Sequence, residues 1–180
     1  GEERSDAILD ETERARLRSP AWQKCLILGR EELRGYARVV WVDSDVLINP
    51  AAPCVSEGVP YDHVGAVDAW SSPTDELAPP VLERMYDYWG DACTVKDETA
   101  RDYYATYGLP PIFDDVVQTG VLILSPHHRQ LLEKVYYEYE ETGTGNYEMR
   151  PLSWELLRSG FVRWIDRRFN AVWLAHKAAY

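Results

Sequence analysis

The fold class this sequence predicts is α/β, a mostly parallel central sheet flanked by helices, and three observations lead to it. The run Val39-Val40-Trp41-Val42 is β-branched and aromatic without polar alternation, as expected of a strand buried on both faces of a parallel sheet. Val116 to Leu124 is a second such run, broken only by Gln118-Thr119-Gly120. Helical patterns separate the apolar runs at the spacing of strand–helix–strand units.

In chain order, Asp6 to Arg18 favours a helix that Ser19-Pro20 interrupts. A second helix follows, with Trp22, Cys25, Leu26, Leu28 and Leu33 on one face, Lys24 as a lone cation among apolar neighbours, and Gly35 as its end. After the Val39–Val42 strand, Asn49-Pro50 marks a turn. His63 to Val67 reads as a short strand that ends at Asp68 and delivers Trp70 to a loop. Pro79-Pro80 opens a helix that runs to Trp89 before Gly90, and Asp97 to Tyr107 reads as another, closed by Gly108. Within the second apolar run, Gly120 suggests a close approach to the backbone. Ser125-Pro126 starts a helix with Leu131, Leu132, Val135, Tyr136 and Tyr139 as its buried stripe. Gly143 to Asn146 is a loop, Ser153 to Ser159 a short helix stopped by Gly160, and Phe161 to Ile165 a last strand that leads into Asp166-Arg167-Arg168-Phe169-Asn170.

At 180 residues the chain is read as a single domain, 1–180, since a domain of roughly 150 residues already buries about two-thirds of its unfolded surface. Nineteen Lys+Arg against 30 Asp+Glu give a net charge of −11, which repels a phosphate backbone and excludes nucleic acid as a partner. An anionic small ligand would need a local cation to reverse that field. Cys25, Cys54 and Cys93 have no CxxC spacing and read as free thiols. No apolar segment approaches the roughly 18 residues of a membrane span, and the acidic start is no signal peptide. The cytoplasm is the favoured compartment, with the secretory lumen open if an anchor was removed.

The chemistry concentrates at Asp43-Ser44-Asp45, where the first strand ends. In an open α/β sheet the ligand crevice lies at the carboxyl ends of the strands. In an extended segment residues i and i+2 point to one side, so Asp43 and Asp45 are expected to converge on one hard cation, Mn2+ or Mg2+.

The stretch Tyr36 to Ile48 resembles the DxD segment of GT-A-fold glycosyltransferases, most closely the glycogenin-like and lipopolysaccharide-transferase-like family 8. Ala21-Trp22-Gln23-Lys24 is similar to that family's helix with a cation reaching the donor. Gln118 to Leu124 is similar to its N-[AS]-G-V strand, and Asp166 to Asn170 to its D-x-R-F-N segment. The resemblance covers about Trp22 to Trp173. It implies a GT-A-type, Rossmann-like sheet and a metal-dependent transferase that uses a UDP- or GDP-sugar donor and a carbohydrate or other hydroxyl acceptor, with retention of configuration. It also implies roles. Asp43 and Asp45 hold the metal, with His176 the one nearby candidate for a further ligand. Lys24, Asp43, Ser44, Gln118, Thr119 and Gly120 line the donor, and Asp68 and Trp70 meet the acceptor. Glu148 faces the reacting carbon, with Asp114 and Asp115 as competing carboxylates. Three departures stand out: no strand precedes Asp6 where members usually have a nucleotide-binding strand, Gln118 replaces an Asn, and Glu148-Met149 replaces Asp-Gln.

Two other functions fit parts of the pattern. A strand followed by Asp-x-Asp also opens haloacid-dehalogenase-like phosphatases, although Val46-Leu47-Ile48 and the lack of a distal Gly-Asp motif depart from them. The missing first strand also fits a non-catalytic sugar-binding relic of the transferase fold.

Overall fold

Strands form at each apolar run that predicted one. The computed structural model describes residues 10–69, 99–141 and 147–171. Within them, β1 (Val39–Val42), β2 (Val64–Asp68), β3 (Val117–Leu124) and β4 (Val162–Trp164) make one sheet in the order β1-β3-β2-β4. β3 is antiparallel to both β1 and β2, and β4 pairs parallel with β2. The sheet is therefore mixed, which corrects the mostly parallel expectation. An unalternating apolar run reports burial on two faces and carries no information on strand direction.

One consequence of the expected sheet survives the correction. Because β1 and β2 both oppose β3, and β4 follows β2, the strands β1, β2 and β4 share a direction. Their carboxyl ends lie at one end of the sheet together with the start of β3. Asp43, Asp68, Asp115 and Asp166 each sit just past or at one of these strand ends.

β1 does not have the two buried faces its composition suggested. Val39, Trp41 and Val42 are half-buried and Val40 is 40% exposed, because β1 is an edge strand with only β3 beside it. β3 is the buried strand, with Gln118 its one half-buried residue. The ladder between β2 and β3 shifts register: Val67 pairs with Gln118 and Gly65 with Ile123, so Thr119, Gly120, Val121 and Leu122 stand against Ala66 alone. Extra residues of this kind bend a strand and re-aim its side chains, often beside functional sites.

The first helix is short, α1 (Glu13–Arg16), and the earlier part of the expected helix lies outside the described residues. Pro20–Gly29 winds as a 3-10 helix rather than an α-helix, and a separate turn, Glu31–Leu33, ends before Gly35. Trp22, Cys25 and Leu28 recur every third residue, which stacks them on one face of three-residue turns. The Ser19 side chain caps this helix by accepting from Ala21 N. α2 (Ala100–Thr106) is capped by Thr99, whose hydroxyl oxygen accepts from Asp102 N at 3.1 Å. Ser125 and His128 form a capping box around the turn Pro126–His128, which leads into α3 (Arg129–Glu138). α4 (Met149–Ser159) starts four residues before the expected Ser153. Pro151 falls in its first turn, where no N–H is needed, and Gly160 at φ 72° ends it. The expected helix from Pro79 to Trp89, the loop Gly143 to Asn146, and Trp70, Cys93 and His176 lie outside the described residues.

Trp22 and Cys25 of the 3-10 helix, Leu132 and Tyr136 of α3, and Leu152 and Leu156 of α4 share one core that covers a single face of β2 and β3. On the other side the packing is tight enough to exclude a methyl group. A Cβ on Gly65 would lie 2.8 Å from Ile123 Cδ1 and 2.9 Å from Val59 Cγ2. Gly65→Ala is expected to lower stability by about 1–3 kcal/mol, the usual cost of overpacking. A lower urea midpoint at unchanged m would show it, and an unchanged midpoint would mean that the Val59 loop yields. Among the described residues no helix is long and apolar enough to cross a membrane, and Cys25 and Cys54 are free thiols.

Candidate functional site

Four segments distant in sequence meet around one buried ammonium. Lys24, on the 3-10 helix, has a side chain only 3% exposed. Its Nζ lies 2.8 Å from Glu148 Oε1 and 3.0 Å from Asp43 Oδ1, and donates to the main-chain oxygen of Thr119 at 3.2 Å. An ammonium has three protons, and these acceptors use all three. The Thr119 hydroxyl donates to Glu148 Oε1 at 3.0 Å, and the Trp41 indole N–H donates to Asp43 Oδ1 at 2.6 Å. The face of Trp41 lies 5.7 Å from Lys24 Nζ, within reach of a cation–π attraction.

Local structure explains each position. Asp43 follows β1 and continues its ladder, its N–H donating to Gly120 O at 2.8 Å. Thr119 and Gly120 belong to the irregular stretch of β3. Glu148 precedes the first turn of α4, where its carbonyl accepts from Leu152 N at 2.9 Å. Tyr147, at φ 43°, holds the left-handed conformation that a non-glycine residue adopts at a cost, and this sets how the chain enters α4 at Glu148.

One ammonium faces two carboxylates, which leaves the cluster one unit negative. Burial alone would lower the Lys24 pKa, but the Glu148 and Asp43 carboxylates beside it raise it above the ordinary lysine value. Burial pushes the neighbouring Cys25 thiol far up, so it stays protonated.

Gly120 does mark a close approach, and the approaching groups belong to the protein itself. A Cβ there would stand 3.3 Å from both amide atoms of Asn170 and 3.4 Å from Asp43 Oδ2. Among the described residues the buried Asn170 Nδ2 has no hydrogen-bond partner, an arrangement that calls for a physical account at a site of this kind.

The structure redistributes several expected roles. Asp43, Ser44 and Asp45 do not form an extended segment, because Val46 N donates to Asp43 O at 3.1 Å and closes a turn. The two carboxylates therefore divide: Asp43, its side chain 35% exposed, is tied back into the cluster, and Asp45 and Ser44 lie exposed at the turn. Lys24 is not a solvated helix cation. In this arrangement it has no proton left for a donor phosphate, and its role is to hold two carboxylates.

Glu148, 3% exposed, lies inside the protein, so the expectation that it faces the reacting carbon gives way to a positioning role. Asp114 is exposed and paired with Arg101, whose Nε and Nη2 donate to it at 2.6 and 3.1 Å and hold its carboxyl below the usual range. Asp115 stands four residues before Thr119, about 13 Å along an extended chain, so neither acid belongs to the Lys24 cluster. Gln118 folds back on its own strand, with its Oε1 accepting from Gly120 N at 3.2 Å. Asp68 Oδ1 accepts from Val116 N at 3.2 Å.

Among the described residues no group of three or more His, Cys, Asp and Glu could hold a metal ion. His176 and Trp70 lie outside those residues. A hard cation of the Mg2+ or Mn2+ type is commonly held by one or two carboxylates together with waters and substrate phosphates, so it does not require three protein ligands.

No protein-family model matches the chain, and no curated protein or solved structure matches it either.

Two participants went unassigned in the sequence. Trp41 precedes Asp43 by two residues, a spacing that puts both on one side of a strand, so the signal was present. Asn170 closes a segment already singled out, but its contact with Gly120 crosses fifty positions and leaves no local trace.

Proposed function

We propose that this chain is a metal-dependent glycosyltransferase that moves a sugar from a nucleotide-diphospho-sugar to a hydroxyl acceptor, with retention of configuration. One observation carries the reading. Lys24, Asp43 and Thr119, from three segments that resemble family 8 transferases, meet together with Glu148, the Asp43, Thr119 and Glu148 oxygens all lying within 3.2 Å of Lys24 Nζ. Glu148 and Thr119 reach it through the side chain and the main chain respectively.

Asp43 and Asp45 would hold the cation, which when bound supplies positive charge to offset the departing diphosphate. The chain's own residues prepare that site. Lys24 and Trp41 fix the Asp43 carboxylate from beneath, which is the support a functional carboxylate needs to keep its geometry. Glu148 and Thr119 fix Lys24 in turn. The buried Asn170 Nδ2, close to the Asp43 carboxylate over Gly120, is a donor suited to a sugar or phosphate oxygen.

Calorimetry with UDP- and GDP-sugars in Mn2+ and in EDTA tests the reading. At least one donor is expected to bind in Mn2+ and to lose most of its affinity in EDTA, with a matching loss of the ligand-induced rise in Tm. Equal affinity in EDTA would sink the metal role. Hydrolysis of p-nitrophenyl phosphate without any donor binding would favour the phosphatase alternative.

A further inference from the structure

A cleft of about 450 Å³ opens at the end of the sheet where β2 and β4 finish and β3 begins, lined by Asp68, Asp115, Trp164, Ile165, Asp166 and Arg167. We propose that this cleft binds a neutral saccharide, stacked on Trp164, and that this saccharide is the acceptor. The acceptor role rests on the transferase reading above. Saccharide binding does not.

Three features select this ligand. The first is the aromatic wall. Trp164 ends β4 and is 39% exposed, a large apolar ring left partly in water. It also lines a second cleft of about 340 Å³ together with Arg163 and Cys54. The C–H face of a sugar ring is apolar enough to cover such an indole, and its hydroxyls remain for polar partners.

The second feature is charge. Asp68, Asp115 and Asp166 share the lining with Arg167, and Arg168 pairs with Asp166 at 2.6 Å, so three carboxylates stand against two guanidiniums. In a chain of net charge −11 this disfavours a diphosphate or an acidic sugar. Carboxylates are acceptors and hydroxyl groups are donors, so a neutral polyhydroxyl ligand suits them. The charge also separates this cleft from the Asp43 end of the site, where a cation would neutralise the donor.

The third is position. The chain leaves the cleft at Asp166, whose Oδ1 accepts from Arg168 N at 2.9 Å, and turns through the 3-10 helix Arg167–Asn170. At about 2 Å per residue this helix spans about 8 Å. Its last residue is Asn170, which lies against Gly120 beside Asp43. Trp164 ends one edge strand and Asp43 follows the opposite edge strand, so a saccharide on Trp164 lies at the same end of the sheet as the carboxylate assigned to the donor side, three strand spacings or roughly 14 Å across it.

The test is NMR on protein labelled at the tryptophan indoles, with the Trp164 signal identified by its loss in Trp164→Phe. Methyl glycosides of glucose, galactose and mannose are titrated alongside glucuronate. At least one neutral glycoside is expected to shift the Trp164 signal, and glucuronate to bind about tenfold more weakly or not at all. Trp164→Ala is expected to reduce glycoside affinity about tenfold or more, and Trp164→Phe to retain most of it. Asp115→Arg, on the exposed rim, is expected to weaken binding as well, and serves if Trp164→Ala does not fold.

The proposal is overturned if no glycoside shifts Trp164, if a folded Trp164→Ala or Asp115→Arg binds as the parent does, or if glucuronate binds equally well. Asp43→Asn separates the two readings: it should weaken donor binding about 100-fold or more and leave glycoside binding intact. Glycoside binding with no donor binding in the parent protein would leave the cleft standing and remove the transferase.

Discussion

Lys24→Met is expected to destabilise the protein by about 3–5 kcal/mol, the cost typical of removing one partner from a buried ion pair. The substitution keeps the length and the apolar stem of the side chain but deletes the ammonium that Asp43, Glu148 and the Thr119 carbonyl share. Glu148, 3% exposed, then keeps, among the described residues, the Thr119 hydroxyl as its side-chain donor beside a second carboxylate. The double variant Lys24→Met/Glu148→Gln removes the uncompensated charge and should recover a large part of the loss. Urea unfolding of the parent, the two single variants and the double variant measures this directly. If Lys24→Met alone costs less than about 1 kcal/mol, the surface value for an ion pair, the ammonium is not a structural counter-ion.

The alkaline limb gives a second readout with a defined sign. The folded-state pKa of Lys24 is raised, because the carboxylates outweigh the burial that would lower it. A raised lysine pKa means that the folded protein favours the protonated form. The resulting stabilisation is fully present below the unfolded value of roughly 10.4 and is lost as pH rises through the folded value. The parent should therefore lose stability over that alkaline window more steeply than a folded Lys24→Met/Glu148→Gln protein does.

The sequence disclosed elements better than it disclosed their arrangement, and particular residues show why. Val39-Val40-Trp41-Val42 announces a strand because β-branched and aromatic side chains suit a pleated surface. The same residues do not report that β1 is an edge, since edge or centre is decided by which strands come to lie beside it. The reversed β3 escaped for the same reason: direction follows from connections, and a connection as long as 69–116 between β2 and β3 leaves either direction open.

At the site, Trp22 to Leu28 already showed Lys24 as a cation among apolar neighbours, and burial is what that pattern meant. The role assigned to it, reaching a donor phosphate, assumed an open helix face. The structure supplies two carboxylates instead. Asp43 and Asp45 were legible as a pair at a strand exit, and the turn closed by Val46 N had Asp43, Ser44 and Asp45, all turn-favouring residues, to mark it, but the apolar Val46-Leu47-Ile48 that follows continues the look of a strand.

Asp43→Asn is expected to lower affinity for a nucleotide-sugar in Mn2+ by about 100-fold or more while changing stability by no more than about 1 kcal/mol. The two halves of this prediction have separate causes. Asparagine has the shape of aspartate, and its amide oxygen still accepts the Trp41 N–H that now donates to Asp43 Oδ1 at 2.6 Å. Lys24 keeps Glu148 at 2.8 Å as its counter-ion, and the cluster changes from one net negative charge to none. The fold therefore loses little. The cation loses an anionic oxygen at the point where the chain exits β1, and a neutral amide is a poor replacement for a hard divalent ion.

Asp45→Asn, at an exposed turn position outside the Lys24 cluster, should weaken the metal effect with still less effect on stability. Glu148→Gln should show the opposite balance, lowering stability first and donor affinity only in proportion. Calorimetry for donor affinity and urea unfolding for stability, run on all three variants, distinguish a carboxylate that meets the ligand from one that supports the protein. A folded Asp43→Asn that binds donor as tightly as the parent would remove Asp43 from the site. Equal losses of affinity and stability in all three would reduce the cluster to a buried ion-pair network with no ligand.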